Sequence, residues 1–365
     1  MKKIILIFAI SLLSACAGDQ FKNDIQANKA LKKIWSGYFA EDFNDTKAID
    51  IAVVTNRRAT NNSFGCAENS FGVNGVGTLQ YGICRVNVPK NHSTGDIAFT
   101  KDNRQSSNDY FKILEAKNIT SKNLIESLKK NNRTPLVFVH GFNVKFGEAV
   151  LRSSQIAYDL KYQGPIVLFT WPAGAEDGFF ANAMMNKTYE NNLVNARNSV
   201  VLFKNFLSEL EENDIQVNLV VHSMGHQVVL PALKQLADTN SESVINELIL
   251  NAPDFDAQEF KVVMKDIKKV SGRITLYCSY NDKAMFASKT FNNNERLGAC
   301  TFAPDLDSIN VSLVDNSTLG LGHGYYSSRT ILTDVFQTLL GIDADKRLFV
   351  RKSEMNSTEK YFLRN

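Results

Sequence analysis

A chain of 365 residues, 44% hydrophobic and 22% charged, can bury a large core, and its length permits one large α/β domain or two smaller ones. Its net charge is +3, and removing Lys2 and Lys3 with a leader peptide leaves 39 of its 41 basic residues against 38 acidic ones. With no block of Lys or Arg to form a basic face, nucleic acid is not an expected partner.

Residues 1–15 read as a signal peptide. Lys2 and Lys3 form a basic start, and the apolar run from Ile4 to Leu13 is too short to cross a membrane. Leu13-Ser14-Ala15-Cys16 resembles the bacterial lipobox, so Cys16 is the expected lipidation site and membrane anchor. Ala17 and Gly18 follow it, with no Asp directly after the cysteine. By resemblance to Gram-negative lipoproteins, this predicts a cell-envelope address at the outer membrane, facing the periplasm or the surface. Residues 16–47 are expected to be a tether and an amphipathic helix, with Leu31, Ile34, Trp35 and Phe39 on one face.

Strand-like runs begin with Ile49–Thr55 and Gly82–Val88, separated by a Gly-, Asn- and Ser-rich stretch, 61–77, that reads as a long loop. Residues 91–130 are polar, with one helix expected from Lys122 to Lys130. From Leu136 the pattern alternates. Strands are expected at 136–140 and 166–170, before Ser223 at 217–221, and near 247–250, 274–277 and 309–314. Helical periodicity occupies 145–162, 190–211, the stretch after Ser223, and 328–340, where Gly341 stops it. Alternation of this kind implies a parallel sheet. The domain is therefore expected over 48–345, with N-terminal strands and long loops at 48–130, a catalytic core at 131–345, and a tail at 346–365. After Cys16 four cysteines remain, an even number that suits disulfides in an exported chain. Three pairings are possible. Cys66–Cys84 and Cys278–Cys300 are preferred because each close pair flanks a turn-rich stretch. No C-x-x-C spacing points to zinc, and neither a metal nor a cofactor is implied.

Val221-His222-Ser223-Met224-Gly225 joins an apolar strand to a helical pattern. This is the context in which a sharp turn lifts a serine hydroxyl off a sheet edge for nucleophilic attack. Such a serine needs a base, and the base an orienting carboxylate, in the chain order Ser, Asp, His. Of the five histidines, His92 and His140 precede the serine, His222 adjoins it, and His226 lies one turn into the following helix. His323 remains, in a Gly-rich loop before the last helix. Asp282, after the strand at 274–277, is the preferred acid, a preference that rests on the resemblance described below; Asp254 and Asp256, one strand earlier, are the alternatives. Each could equally be a helix N-cap. The backbone N–H groups of Phe142 and Met224 are the expected oxyanion hole. Trp171 to Gly174 and Phe179, Phe180, Met184 and Met185 could wall an acyl pocket or pack as an ordinary helix on the core.

Thr55-Asn56-Arg57, Tyr81-Gly82, Val86-Asn87-Val88-Pro89, Phe138 to Asn143, Thr170-Trp171-Pro172, His222 to Gly225 and Ala252-Pro253-Asp254 occur in one order. Together they resemble an uncharacterised bacterial, esterase/lipase-like branch of the α/β-hydrolase superfamily. That resemblance implies a mostly parallel sheet flanked by helices, and a serine hydrolase acting on a small-molecule or lipid ester. Two departures stand out: Val221 replaces the glycine usual two residues before the serine, and Pro231 falls inside the expected elbow helix, where it should kink it. They leave open a catalytically weak or inactive binding module; an acyltransferase, passing the acyl group to an acceptor other than water, is a separate alternative.

Overall fold

The computed structural model describes residues 48–100, 104–175, 185–239, 243–301, 306–314, 323–353 and 359–364. The expected signal peptide, Cys16 and the tether helix lie outside these residues, as do Phe179, Phe180 and Met184. Strands β1 (Ala48–Ala59), β2 (Phe71–Asn87) and β3 (Lys112–Ile119) come first, followed by helix α1 (Ser121–Lys130). Strict alternation then sets in: β4 (Leu136–Val139), α2 (Phe146–Asp159), β5 (Ile166–Thr170), α3 (Met185–Glu211), β6 (Val217–His222) and α4 (His226–Ala237). It continues through β7 (Ile245–Asn251), α5 (Ala257–Val270), β8 (Ser271–Cys278), α6 (Lys283–Asn292), β9 (Asp307–Asn310) and α7 (Arg329–Leu339). Two short strands close the chain, β10 (Val350–Lys352) and β11 (Tyr361–Leu363).

All eleven strands form one sheet in the order β10-β11-β9-β8-β7-β6-β4-β5-β1-β2-β3. From β11 to β1 every neighbouring pair is parallel, and antiparallel pairs are confined to the two ends. The physical reason lies in the strands themselves. Leu136-Val137-Phe138-Val139 and Ile166-Val167-Leu168-Phe169-Thr170 are buried at every position. A strand with no polar face needs helices on both sides, which is the environment a parallel sheet provides. Helices supply it through one apolar stripe each; α3, for example, buries Ala196, Val200, Phe203, Leu207 and Leu210. Strand order reverses between β4 and β6, because β5 lies on one side of β4 and β6 on the other. Ligand crevices of open α/β sheets form outside the carboxyl ends of strands at such a switch point.

The described structure corrects four expectations. Residues 71–77, expected in a loop, are the first half of β2, paired with the end of β1 through Arg57↔Gly75 and Ala59↔Phe71 across two register shifts. β3 was not expected at all; it is an edge strand with most side chains in water, so it carries no apolar alternation. β9 ends at Asn310 rather than continuing to Val314, because the Asn310 Oδ1 accepts from Ser312 N (2.9 Å) and turns the chain. The expected tail after residue 345 instead contributes β10 and β11 to the sheet. α4 runs through Pro231, forgoing one N–H.

Two disulfides, Cys66–Cys84 and Cys278–Cys300, pin segments 18 and 22 residues apart in sequence. The first fixes the 60–70 connection onto β2. The second ties the end of β8 to the stretch after α6, beside the carboxyl edge of the sheet.

Candidate active site

Ser223 follows the last residue of β6 and starts a 3-10 turn, Ser223–Gly225, that leads directly into α4. Its φ is +52°, a left-handed conformation that costs a non-glycine residue about 1–3 kcal/mol unless its surroundings enforce it. They do so from two sides. The Ser223 carbonyl accepts from His226 Nδ1 (2.7 Å) and from Asp254 N (3.3 Å). Gly225 packs so closely on β4 that a Cβ there would lie 2.6 Å from the His140 carbonyl oxygen. Gly141 passes over the serine itself, where a Cβ would sit 2.7 Å from Ser223 Cβ. The two glycines at the ends of β4 and the elbow therefore let the Phe142 segment lie against the nucleophile. Val221, the departure from glycine, is fully buried in the core.

Across the sheet edge, His323 Nδ1 donates to Asp282 Oδ2 at 2.7 Å. The carboxylate is fully buried and the ring is 18% exposed. Asp282 is also the N-cap of α6, its Oδ1 accepting from Ala284 N (3.0 Å) and Met285 N (3.1 Å). The capping and orienting roles coexist because each uses a different oxygen. A carboxylate held by two backbone donors and one ring N–H is fixed in place and oriented, as the acid of a triad must be. His222 reaches the same loop, its Nε2 donating to the His323 carbonyl at 3.3 Å, with ring centroids 4.7 Å apart. Burial, then the neighbouring His323, holds His222 well below the ordinary histidine range, so it is a neutral spacer.

The alternative acids have other partners. Asp256 caps α5, accepting from Gln258 N and Glu259 N. Asp254 is locked to Arg296, whose Nε and Nη2 approach Oδ1 at 2.7 and 2.6 Å, and it also accepts from Tyr189 and Ser288. The remaining histidines are structural. His92 pairs with buried Asp159 (2.8 Å). His140 donates Nδ1–H to the Gly141 carbonyl and accepts a hydrogen bond from Thr170 Oγ1 at Nε2 (2.9 Å). Burial, then the adjacent Arg57, pushes His140 down to about 3; burial alone dominates for His226, also lowered to about 3.

Arg57 was visible in the sequence only as part of a resemblance, yet it organises the loop that carries Phe142. Fully buried, it donates to Thr170 Oγ1 (2.9 Å) and to the carbonyls of Gly72 (3.3 Å), Ala173 (2.7 Å) and Val144 (2.7 Å). Burial lowers its pKa to about 9. Trp171 is buried against this cluster, stacked on His140 and donating to its carbonyl, so it belongs to the core rather than to a pocket wall.

Ser223, His323 and Asp254 line one cavity of about 940 Å³. Its apolar wall includes Phe138, Phe142, Leu151, Met285 and Phe291, and Met185 at the start of α3 borders it. That size and lining suit a largely apolar small molecule.

A strained strand-to-helix elbow at the switch point of a mostly parallel sheet flanked by helices is the architecture of an α/β-hydrolase fold. Residues 116–342 match the family model described as "Alpha/beta hydrolase of unknown function (DUF900)", and the chain belongs to that family. No curated protein and no solved structure matches the chain.

Proposed function

We propose that this chain is a serine hydrolase of carboxylic esters that works in the cell envelope. The observation that carries the reading is that His323, held by Asp282, lines the same cavity as Ser223 on its elbow. In the proposed reaction Ser223 Oγ attacks the ester carbonyl carbon while His323 Nε2 takes the hydroxyl proton. Asp282 stays ionised and holds Nδ1–H, stabilising the imidazolium. The oxyanion is received by the N–H groups of Phe142 and Met224, the latter at the positive end of α4. His323 then returns the proton to the departing alkoxide, and water repeats the sequence in reverse to release the acid. The apolar lining supports an acyl or alkyl chain as the substrate's body.

Export as a lipoprotein tethered through Cys16 is part of the same proposal. It rests on the lipobox-like Leu13-Ser14-Ala15-Cys16, and the two disulfides support it, since such bonds persist in oxidising compartments. The test is turnover of a chain-length series of p-nitrophenyl esters by the parent, His323→Ala and Asp282→Asn proteins. Turnover in the parent falling about 10³–10⁴-fold in both variants is the expected outcome. Parent and variants hydrolysing alike, or none exceeding buffer, would leave the fold as a binding scaffold.

A further inference from the structure

Among the described residues, three arginines are deeply buried, and each is spent. Arg57 is saturated by carbonyl and hydroxyl oxygens. Arg296 is paired with Asp254, and Arg347 with Asp334. Arg152, on α2, differs. It lines the cavity that holds Ser223, and only its Nη1 is engaged, by the Gly95 carbonyl (3.0 Å) and Gln155 Oε1 (2.6 Å). Nε and Nη2 have no hydrogen-bond partner among the described residues, and no carboxylate there lies within ion-pair distance of the guanidinium.

The carboxylates around it are otherwise occupied or exposed. Asp159 accepts from His92, the Gly95 amide and Gln155. Glu148, one turn earlier on α2, accepts from the Lys145 amide at the helix start. Asp96 is exposed at the cavity's edge. Burial disfavours the Arg152 charge, and Asp159 and Asp96 offset this only from beyond contact distance, so an anion entering the cavity meets N–H donors that no protein acceptor takes and gains a direct ion pair. Guanidinium matches a carboxylate or phosphate with two parallel N–H···O bonds.

We propose that Arg152 recognises an anionic group, a carboxylate or a phosphate, carried by an otherwise apolar substrate. The substrate class of the proposed hydrolase is then an anionic amphiphilic ester. This deepens the hydrolase reading, on which the word ester rests; the anion site itself does not depend on it.

The experiment is calorimetric titration of the Ser223→Ala protein with octanoate, octyl phosphate and 1-octanol. Octanoate or octyl phosphate should bind at least about tenfold more tightly than 1-octanol, and the tighter of the two names the headgroup. Adding Arg152→Gln should abolish that preference, and Arg152→Lys should restore part of it, with both variants checked for an unchanged thermal transition. Equal binding of all three probes by the Ser223→Ala protein would overturn the assignment without any Arg152 variant. So would a preference that survives Arg152→Gln, since the anion would then be sitting in the oxyanion hole. Absence of fluorophosphonate labelling in the parent would overturn the hydrolase reading alone and leave these binding results to be judged separately.

Discussion

Asp254 and Asp282 follow neighbouring strands, β7 and β8, and both are nearly fully buried. Their partners set them apart. Asp254 meets a guanidinium, Arg296, whose charge is fixed, so its contribution is to stability. Asp282 gives one oxygen to a helix cap and the other to a histidine ring that can gain and lose a proton. In the proposed reaction, two buried acids on one sheet edge thus take a structural or a catalytic role according to whether the group opposite can titrate. The amino-acid sequence orders the two as candidates only by strand position, whereas the pairings, 42 residues apart for Asp254 and 41 for Asp282, set their surroundings apart.

The sharpest way to break this contrast is to remove each carboxylate's charge. Asp282→Asn should cut ester turnover about 10⁴-fold, because the amide favours the wrong ring tautomer. Its stability cost should stay below about 1 kcal/mol, because Asn caps a helix about as well as Asp does. Asp254→Ala should do the reverse, lowering stability by about 3–5 kcal/mol because Arg296 is left buried and unpaired. Denaturant unfolding alongside turnover checks both, and equal stability losses for the two variants would contradict the division of roles.

Reduction of the disulfides comes next in size. Each closed loop is worth about 3 kcal/mol in the chain-entropy account, so loss of either should lower the midpoint comparably. Activity should separate them. Cys278 stands four residues before Asp282, so Cys278→Ser with Cys300→Ser should impair turnover more than the matching Cys66 and Cys84 pair of changes.

The smallest effect is in acid. His226 is neutral in the folded protein down to about pH 3 but titrates near 6.5 when unfolded, so the unfolded chain binds more protons between these values. Stability from this group is full above about 6.5 and falls as pH drops, by about 1.4 kcal/mol per unit. Glu247 acts in the opposite sense, since burial raises it to about 7 and its proton favours the folded state below that pH. Comparing slopes isolates the histidine. His226→Gln should lessen the decline in stability between pH 6 and 4 by about one proton's worth; an unchanged slope would show that His226 is not held neutral.

Most of the parallel core was legible in the sequence, because strands such as Leu136–Val139 are apolar throughout and alternate with periodic helices. The outer strands were not. β3 exposes both faces, and Gly72, Asn74, Gly75 and Gly77 disguise the first half of β2 as a loop. β10 and β11 are three residues each, too short to show a period. At the site, Ser223, His323 and Asp282 could be ordered by motif and chain position. The roles of Arg57, Arg152 and Arg296 could not, since an arginine's worth depends on which distant carbonyls or carboxylates surround it.

The central claim is that Ser223 is an activated nucleophile. A fluorophosphonate probe incubated with the parent, Ser223→Ala and His323→Ala proteins, followed by mass-spectrometric mapping of the adduct, tests it most directly. One adduct per chain is expected, on Ser223, absent from the Ser223→Ala protein and strongly slowed in the His323→Ala protein. An unlabelled parent, or an adduct that persists in Ser223→Ala, would contradict it.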